Sequence, residues 1–243
     1  MKDRLEAIKL EKSYRKKKVL KGISLHVGKG EIVGLLGPNG AGKTTTFSLI
    51  LGLIPQDVGQ VFLDGEDITA LPMYIRARKG LCLLPQEPSA FRKLSVEDNL
   101  FSIIETVGSA HSIGNDGVKK ILEEFGLQEL AKARAFTLSG GERRRLEIAR
   151  ALLTTPRFML LDEPFTGIDP LAIQDLQEII LALKNRGIGI LLTDHSVREA
   201  FKITDRAYII DRGRILKEGT PQELVSSEEV RESYLGDDFL LIE

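Results

Sequence analysis

The chain of 243 residues has no tryptophan and one cysteine, Cys82. A single thiol excludes a disulfide within the chain and excludes Cys-rich zinc sites. Cys82 lies in the apolar run Gly80-Leu81-Cys82-Leu83-Leu84 and reads as a small buried hydrophobe. An excess of one charge is also lacking: 34 basic residues face 35 acidic ones, for a net charge of −1. That balance gives no general attraction to nucleic acid or anionic lipid, so nucleic acid is not expected as a partner. The short basic runs Arg15–Lys18 and Arg143–Arg145 read as solvated faces. No stretch approaches the about 18 apolar residues of a membrane span. The start, Met1-Lys2-Asp3-Arg4, lacks the apolar core of a signal peptide. These absences leave a soluble, cytoplasmic chain as the expectation. At this length a chain buries roughly 70–75% of its unfolded surface, so a core without staples is expected.

What is present is organised by hydrophobic period. Residues 5–12 and 19–27 alternate, as half-buried antiparallel strands do. From residue 31 the pattern changes to short apolar runs, as in strands covered on both faces. Four runs end alike: Leu35-Leu36 before Gly37, Leu83-Leu84 before Pro85-Gln86, Leu160-Leu161 before Asp162-Glu163, and Leu191-Leu192 before Thr193-Asp194-His195. Open α/β sheets bind ligands along that strand edge. Gly37, Gln86, Asp162, Glu163 and His195 are therefore candidates for one site. Between Gln86 and Leu138 the strand signal vanishes, and residues 96–106 and 116–126 have helical spacing around a Gly/Ser/His/Asn-rich turn at 108–117. Beyond His195 the pattern predicts a helix near 196–203, a hairpin of Arg206–Asp211 and Arg214–Gly219 turned by Arg212-Gly213, and short helices. The expected fold is α/β: a P-loop NTPase core with a mainly parallel sheet (1–86 and 139–243), carrying an N-terminal antiparallel β subdomain and an inserted α-helical subdomain (87–138).

Gly37-Pro38-Asn39-Gly40-Ala41-Gly42-Lys43-Thr44 fits G-x-x-x-x-G-K-[ST], between a strand at 31–36 and an apolar helix at 43–53, with Thr45 following. Glycines let backbone N–H groups turn inward around phosphates, and the helix points its positive end at them. Lys43 is expected to reach the β- and γ-phosphates of ATP, and Thr44 to ligate Mg2+. Phe158-Met159-Leu160-Leu161-Asp162-Glu163 resembles a Walker B strand, with Asp162 holding the magnesium shell. Phosphoryl transfer to water needs an oriented nucleophile and neutralised charge, and Glu163 is the candidate for polarising that water. Leu138-Ser139-Gly140-Gly141-Glu142 carries an S-x-x-E capping box. Gly140 and Gly141 leave that helix start bare for an anion. The chain thus has two anion-binding helix ends about a hundred residues apart.

The P-loop, Gln86, Leu138–Glu142, Asp162-Glu163 and His195 stand in the order and spacing of an ABC-type ATPase, and the resemblance covers essentially the whole chain. It implies a head-to-tail dimer, each ATP held by one copy's P-loop and the other's Ser139–Glu142. It implies that Gln86 senses Mg2+ and the attacking water, and that His195 contacts the γ-phosphate. It also implies that Tyr14 stacks on adenine, the alternative being an ordinary strand tyrosine. Asp169 keeps its place in the D-loop, whereas Gly167-Ile168 departs from the Ala-Leu of many relatives; Glu142 stands where many have glutamine.

A finer resemblance, to ATPase subunits of lipopolysaccharide-export transporters, rests on Leu84–Glu87, Phe91–Val96, Asp98–Leu100, Gly140–Arg145, Val197–Glu199 and the ending Tyr234–Phe239. Branched-chain amino-acid importer ATPases share many of these words. The resemblance implies a homodimer held peripherally on the cytoplasmic face of an inner membrane by two transmembrane permease subunits. Their contact would be a groove near Phe91 and Arg92; otherwise Phe91 is buried and Arg92 solvated. A soluble ABC ATPase acting without membrane partners is the alternative. The apolar tail Phe239–Ile242 either caps the fold or contacts a second subunit.

Overall fold

The N-terminal alternation produces a hairpin of β1 (Arg4–Tyr14) and β2 (Lys17–Gly28). In the computed structural model, which describes residues 3–107, 115–236 and 239, the register of this pair shifts between Ala7 and Leu10. That irregularity keeps Leu5, Ala7 and Leu10 all in the core although their spacing breaks the period of two. The sheet continues through β4 (Val58–Leu63) and β5 (Glu66–Asp67) in the order β2-β1-β4-β5. The apolar periodicity did not announce these two strands, because Gly59 and Gln60 interrupt β4 and only Val61 and Leu63 of it are buried.

A second sheet holds β3 (Ile32–Leu36), β6 (Leu81–Leu84), β7 (Phe158–Asp162), β8 (Gly189–Thr193), β9 (Arg206–Asp211) and β10 (Arg214–Gly219), in the order β10-β9-β3-β8-β7-β6. Pairing is parallel from β9 to β6, and only the β9–β10 hairpin is antiparallel. Nearly every side chain of β3, β7 and β8 is buried, which is why they appear as unbroken apolar runs. The four strand ends singled out in the sequence lie along one edge of this sheet. Cys82, on edge strand β6, is partly buried, and burial pushes its thiol up to about 11.

The helices are α1 (Lys43–Leu51), α2 (Met73–Arg78), α3 (Val96–Val107), α4 (Asn115–Glu124), α5 (Gly140–Leu152), α6 (Pro170–Asn185), α7 (Val197–Phe201), α8 (Pro221–Val225) and α9 (Glu228–Val230). α3 and α4 form the helical insertion, within two residues of their expected bounds; the turn between them lies largely outside the described residues. α1 stops at Leu51 because Gly52 takes a left-handed conformation, φ 73°. α6 starts on Asp169, whose Oδ1 accepts from the Ala172 amide at 3.0 Å, with Pro170 in the first turn.

One expectation is corrected. Arg143–Arg145 is not a solvated run: Arg144 is 6% exposed, and Glu147 and Arg150 on the same helix are buried with it. Arg15–Lys18 is exposed as expected. Among the described residues, no helix is long and apolar enough to cross a membrane. Of the tail, Phe239 packs edge-on to Phe201 with ring centroids 6.3 Å apart, and Arg198 lies over its ring at 5.3 Å; Leu240–Ile242 lie outside the described residues.

Candidate active site

The loop after β3 turns directly into α1. A side chain at Gly37 would place its Cβ 2.0 Å from the Ile210 carbonyl oxygen, so only glycine lets the loop leave the sheet here. Lys43 is 7% exposed, and its Nζ donates to the carbonyls of Gly37 at 2.6 Å and Pro38 at 3.2 Å. Burial lowers its pKa, while Glu163, Asp162 and Asp194 nearby act in the opposite sense. A cavity of about 300 Å³ is lined by Val19, Asn39, Gly40, Gly42, Lys43, Thr44, Thr45 and Glu163. Ala41 is buried beneath it, 3% exposed. Tyr14 is 47% exposed, with Lys12 5.9 Å from its ring centre, and does not line this cavity. Val19 does, a residue the motif does not mark.

At the end of β7, Asp162 accepts a hydrogen bond from the Thr193 hydroxyl at 2.7 Å. Burial pushes its carboxyl up, with the neighbouring Glu163 adding to the shift; the Thr193 bond and Lys43 oppose it. Glu163 has a left-handed backbone, φ 48°. Its Oε2 accepts from Gln86 Nε2 at 2.6 Å, and its Oε1 lies 2.6 Å from His195 Nε2. Three of the four strand ends therefore meet at one carboxylate. The fourth, the loop at Gly37, joins through Lys43 and the shared cavity.

The second helix end lies elsewhere in the same chain. Ser139 caps α5: its hydroxyl accepts from the Glu142 amide at 3.3 Å, and the Glu142 carboxylate accepts from the Ser139 amide at 2.8 Å. These bonds hold the Glu142 carboxyl below the usual range. Gly140 lines a separate cavity of about 170 Å³ together with Gln86, Pro88, Arg143, Arg144, Glu147, Thr166, Gly167 and Ile168. Gly141 also has a packing role. It is buried, and a Cβ there would come within 2.6 Å of the Ala172 Cβ, so this glycine serves the packing of α5 on α6.

Buried charges on α5 fasten the loop that carries Gln86. Arg144 donates to the carbonyls of Pro85 at 2.7 Å and Asp162 at 3.2 Å, and pairs with Glu147 at 3.1 Å. Glu147 Oε1 accepts from the amides of Ser89 at 2.5 Å and Ala90 at 3.2 Å. Arg150 donates to the Ser89 carbonyl at 2.6 Å and lies 4.7 Å over the ring of Phe91. Phe91 is 49% exposed and Arg92 is exposed. The spacing of residues 144, 147 and 150, one helix face, was the available sequence signal.

The donor types suit a hard, oxygen-liganded cation. Thr44 offers a hydroxyl, Asp162 a carboxylate and Gln86 an amide oxygen, and among the described residues no cluster of three or more His, Cys, Asp or Glu could hold a metal alone. That set fits Mg2+, which binds through one or two carboxylates together with substrate phosphates.

Residues 20–166 match the family model "ABC transporter". The chain is 52% identical over 239 residues to the "Lipopolysaccharide export system ATP-binding protein LptB" of Acidithiobacillus ferridurans, covering 98% of this chain and 99% of that one. It is 48% identical over 238 residues to the protein of the same name in Escherichia coli strain K12, with 98% and 99% covered. It is 53% identical over 237 residues to a "Probable ABC transporter ATP-binding protein" of Azorhizobium caulinodans, covering 98% of this chain and 84% of that one. Among solved structures, the ADP conformation of an ATP-binding cassette of an ABC transporter superposes with a TM-score of 0.86 at 30% identity, over 98% of this chain and all of that one.

Proposed function

Because the chain belongs to the ABC transporter ATP-binding family and is an ATPase of that kind, we propose that it works as a dimer around two Mg-ATP and drives lipopolysaccharide export through transmembrane partners. One observation carries the dimer: the two anion-binding helix ends of a single chain line separate cavities, one with Lys43, Thr44 and Glu163, the other with Gly140 and the 166–168 loop. A head-to-tail pair brings the Ser139–Glu142 end of one copy to the Gly37–Thr45 loop of the other, so that each nucleotide is enclosed from both sides.

In each site the amides of Asn39–Thr44 and the N-terminus of α1 cradle the phosphates, and Lys43 exchanges its carbonyl partners for phosphate oxygens. Thr44, Asp162 and Gln86 hold Mg2+, which neutralises phosphate charge when bound. Glu163 polarises a water for attack on the γ-phosphorus. The bond from phosphorus to the β–γ bridging oxygen breaks, leaving ADP and phosphate. His195 contacts the γ-phosphate, and Tyr14 stacks on adenine. Closure of the pair moves the helical insertions, and with them the groove near Phe91 and Arg92 in which each of two permease subunits seats a helix. The chain is thereby held on the cytoplasmic face of the inner membrane by its partners.

The lipopolysaccharide assignment rests on the names and near full-length coverage of the relatives. Affinity purification of the tagged chain from a host with an outer membrane tests it. Co-purifying permease subunits whose depletion leaves lipopolysaccharide in the inner membrane support the proposal. Amino-acid permeases, or no membrane protein at all, contradict it.

A further inference from the structure

Asp194 lies at the end of β8 with 0% exposure, and none of the hydrolytic roles above uses it. Each of its oxygens accepts from a different loop. Oδ2 takes the amide of Phe165 at 2.9 Å, and Oδ1 takes the amide of Ser196 at 2.8 Å. The residue before it works in parallel: the Thr193 carbonyl accepts from the Glu163 amide at 3.0 Å. The last residue of β8 and the one after it thus fasten the chain at Glu163 and again two residues further on. At the first of those points Glu163 takes φ 48°, a backbone region that residues with a side chain rarely adopt. Such a conformation persists where the surroundings over-determine it.

We infer that Asp194 is a positioning residue for hydrolysis, clamping the loop of Glu163 to the loop of His195 so that the two side chains meet in fixed geometry. The inference rests on the reading of Glu163 as the group that polarises water. A carboxylate is the side chain this task needs. It presents two acceptor oxygens and no hydrogen, whereas an amide presents one oxygen and turns its NH2 toward the other backbone N–H. Burial pushes the Asp194 carboxyl up and the neighbouring Glu163 adds to this, while the amide bonds from Ser196 and Phe165 oppose it. The hydrogen bonds to an ionised oxygen are the stronger kind, and the cations Lys43 and Arg144 stand within electrostatic reach. The outcome is visible in the 2.6 Å separation of His195 Nε2 and Glu163 Oε1.

The test is Asp194→Asn in the full chain, with Glu163→Gln alongside. Steady-state ATPase activity, nucleotide Kd and Tm are measured for each. The inference predicts that kcat of Asp194→Asn falls about 10- to 100-fold, as a small misplacement of reacting groups does. The KM for ATP and the nucleotide Kd stay within about twofold, the pattern of a loss felt in the transition state. Unchanged kcat overturns the inference. So does a fall of kcat, nucleotide affinity and Tm together, which assigns Asp194 to stability. If Asp194→Asn does not fold, Asp194→Ser, with less volume to bury, is read by the same criteria. Normal turnover in Glu163→Gln removes the catalytic reading, and the inference with it. An inactive Glu163→Gln beside a fully active Asp194→Asn removes the inference alone.

Discussion

Gln86 Nε2 donates to Glu163 Oε2 across 2.6 Å, joining the end of β6 to the end of β7. His195 reaches the other oxygen of the same carboxylate from the end of β8. Both oxygens of Glu163 are therefore engaged by protein side chains. Each carboxylate oxygen has two lone-pair directions, so a water polarised by Glu163 would share the carboxylate with Gln86 and His195 and be oriented among them. The loop that carries Gln86 is the one held by Arg144, Glu147 and Arg150, which gives movement of the helical insertion a physical route to the chemistry.

Glu163→Gln keeps the size and hydrogen-bonding reach of the side chain and loses its charge. We expect turnover to fall by about 10²- to 10⁴-fold, the range supplied by a positioned acid–base group. ATP binding should persist, and the ATP-bound dimer should accumulate. Phosphate release and sedimentation in the presence of Mg-ATP check this together.

Tyr14 sits outside the cavity at Lys43 and is 47% exposed. If it stacks on adenine, Tyr14→Ala weakens ATP binding by roughly 2- to 12-fold, corresponding to about 0.5–1.5 kcal/mol for an aromatic pair. Tm should stay within about 1–2 °C, since the residue is exposed and away from the core. Titration with a fluorescent ATP analogue separates this from an ordinary strand tyrosine, for which affinity does not change.

Arg144 and Glu147 are 7% and 2% exposed in their side chains. Arg144→Ala leaves Glu147 as a buried unpaired charge, at a cost of about 3–5 kcal/mol. For a domain of this size that lowers Tm by roughly 6–20 °C. Arg145 pairs with Asp175 at 3.2 Å on a far more exposed surface, and Arg145→Ala should cost about 0–1 kcal/mol. Thermal unfolding of the two variants side by side checks the contrast; equal shifts would contradict it.

The two capping boxes predict a pH dependence. Hydrogen bonds from Ser139 hold Glu142 below its ordinary value, and bonds from Thr220 do the same for Glu223. A carboxyl depressed in the folded state contributes stability above its unfolded pKa, about 4.3, and loses it as pH falls through the folded value. Glutamine also completes a capping box but does not titrate. Tm of the double variant Glu142→Gln, Glu223→Gln should therefore fall less steeply below about pH 4.3 than that of the parent.

The sheet edge was legible in the sequence because strands covered on both faces must be apolar throughout, so each polar residue that follows marks its end. Gly37, Gln86, Asp162 and His195 are each such a polar or small residue behind an apolar run. The hairpin of β9 and β10 was equally clear from its Arg212-Gly213 turn. By contrast, β4 and β5 were missed because Gly59 and Gln60 break the pattern and half of β4 faces outward. Arg144 read as part of a solvated basic run because its partners include backbone groups of Pro85 and Asp162, and Glu147 and Arg150 on the same face serve the backbone of Ser89 and Ala90. Backbone amides and carbonyls have no sequence signature, so charges that serve them look like surface charges. The same reason hid Asp194, whose two partners are the amides of Phe165 and Ser196.

In the proposed dimer each chain carries two halves of different sites. ATP turnover per chain, measured across a wide dilution series of the purified protein at saturating Mg-ATP, is the decisive measurement for this arrangement. Turnover per chain should rise with protein concentration and level off as the dimer saturates, while nucleotide binding to the P-loop persists at the dilute end. Turnover per chain that is independent of concentration, in protein shown by sedimentation to be monomeric throughout, would contradict it.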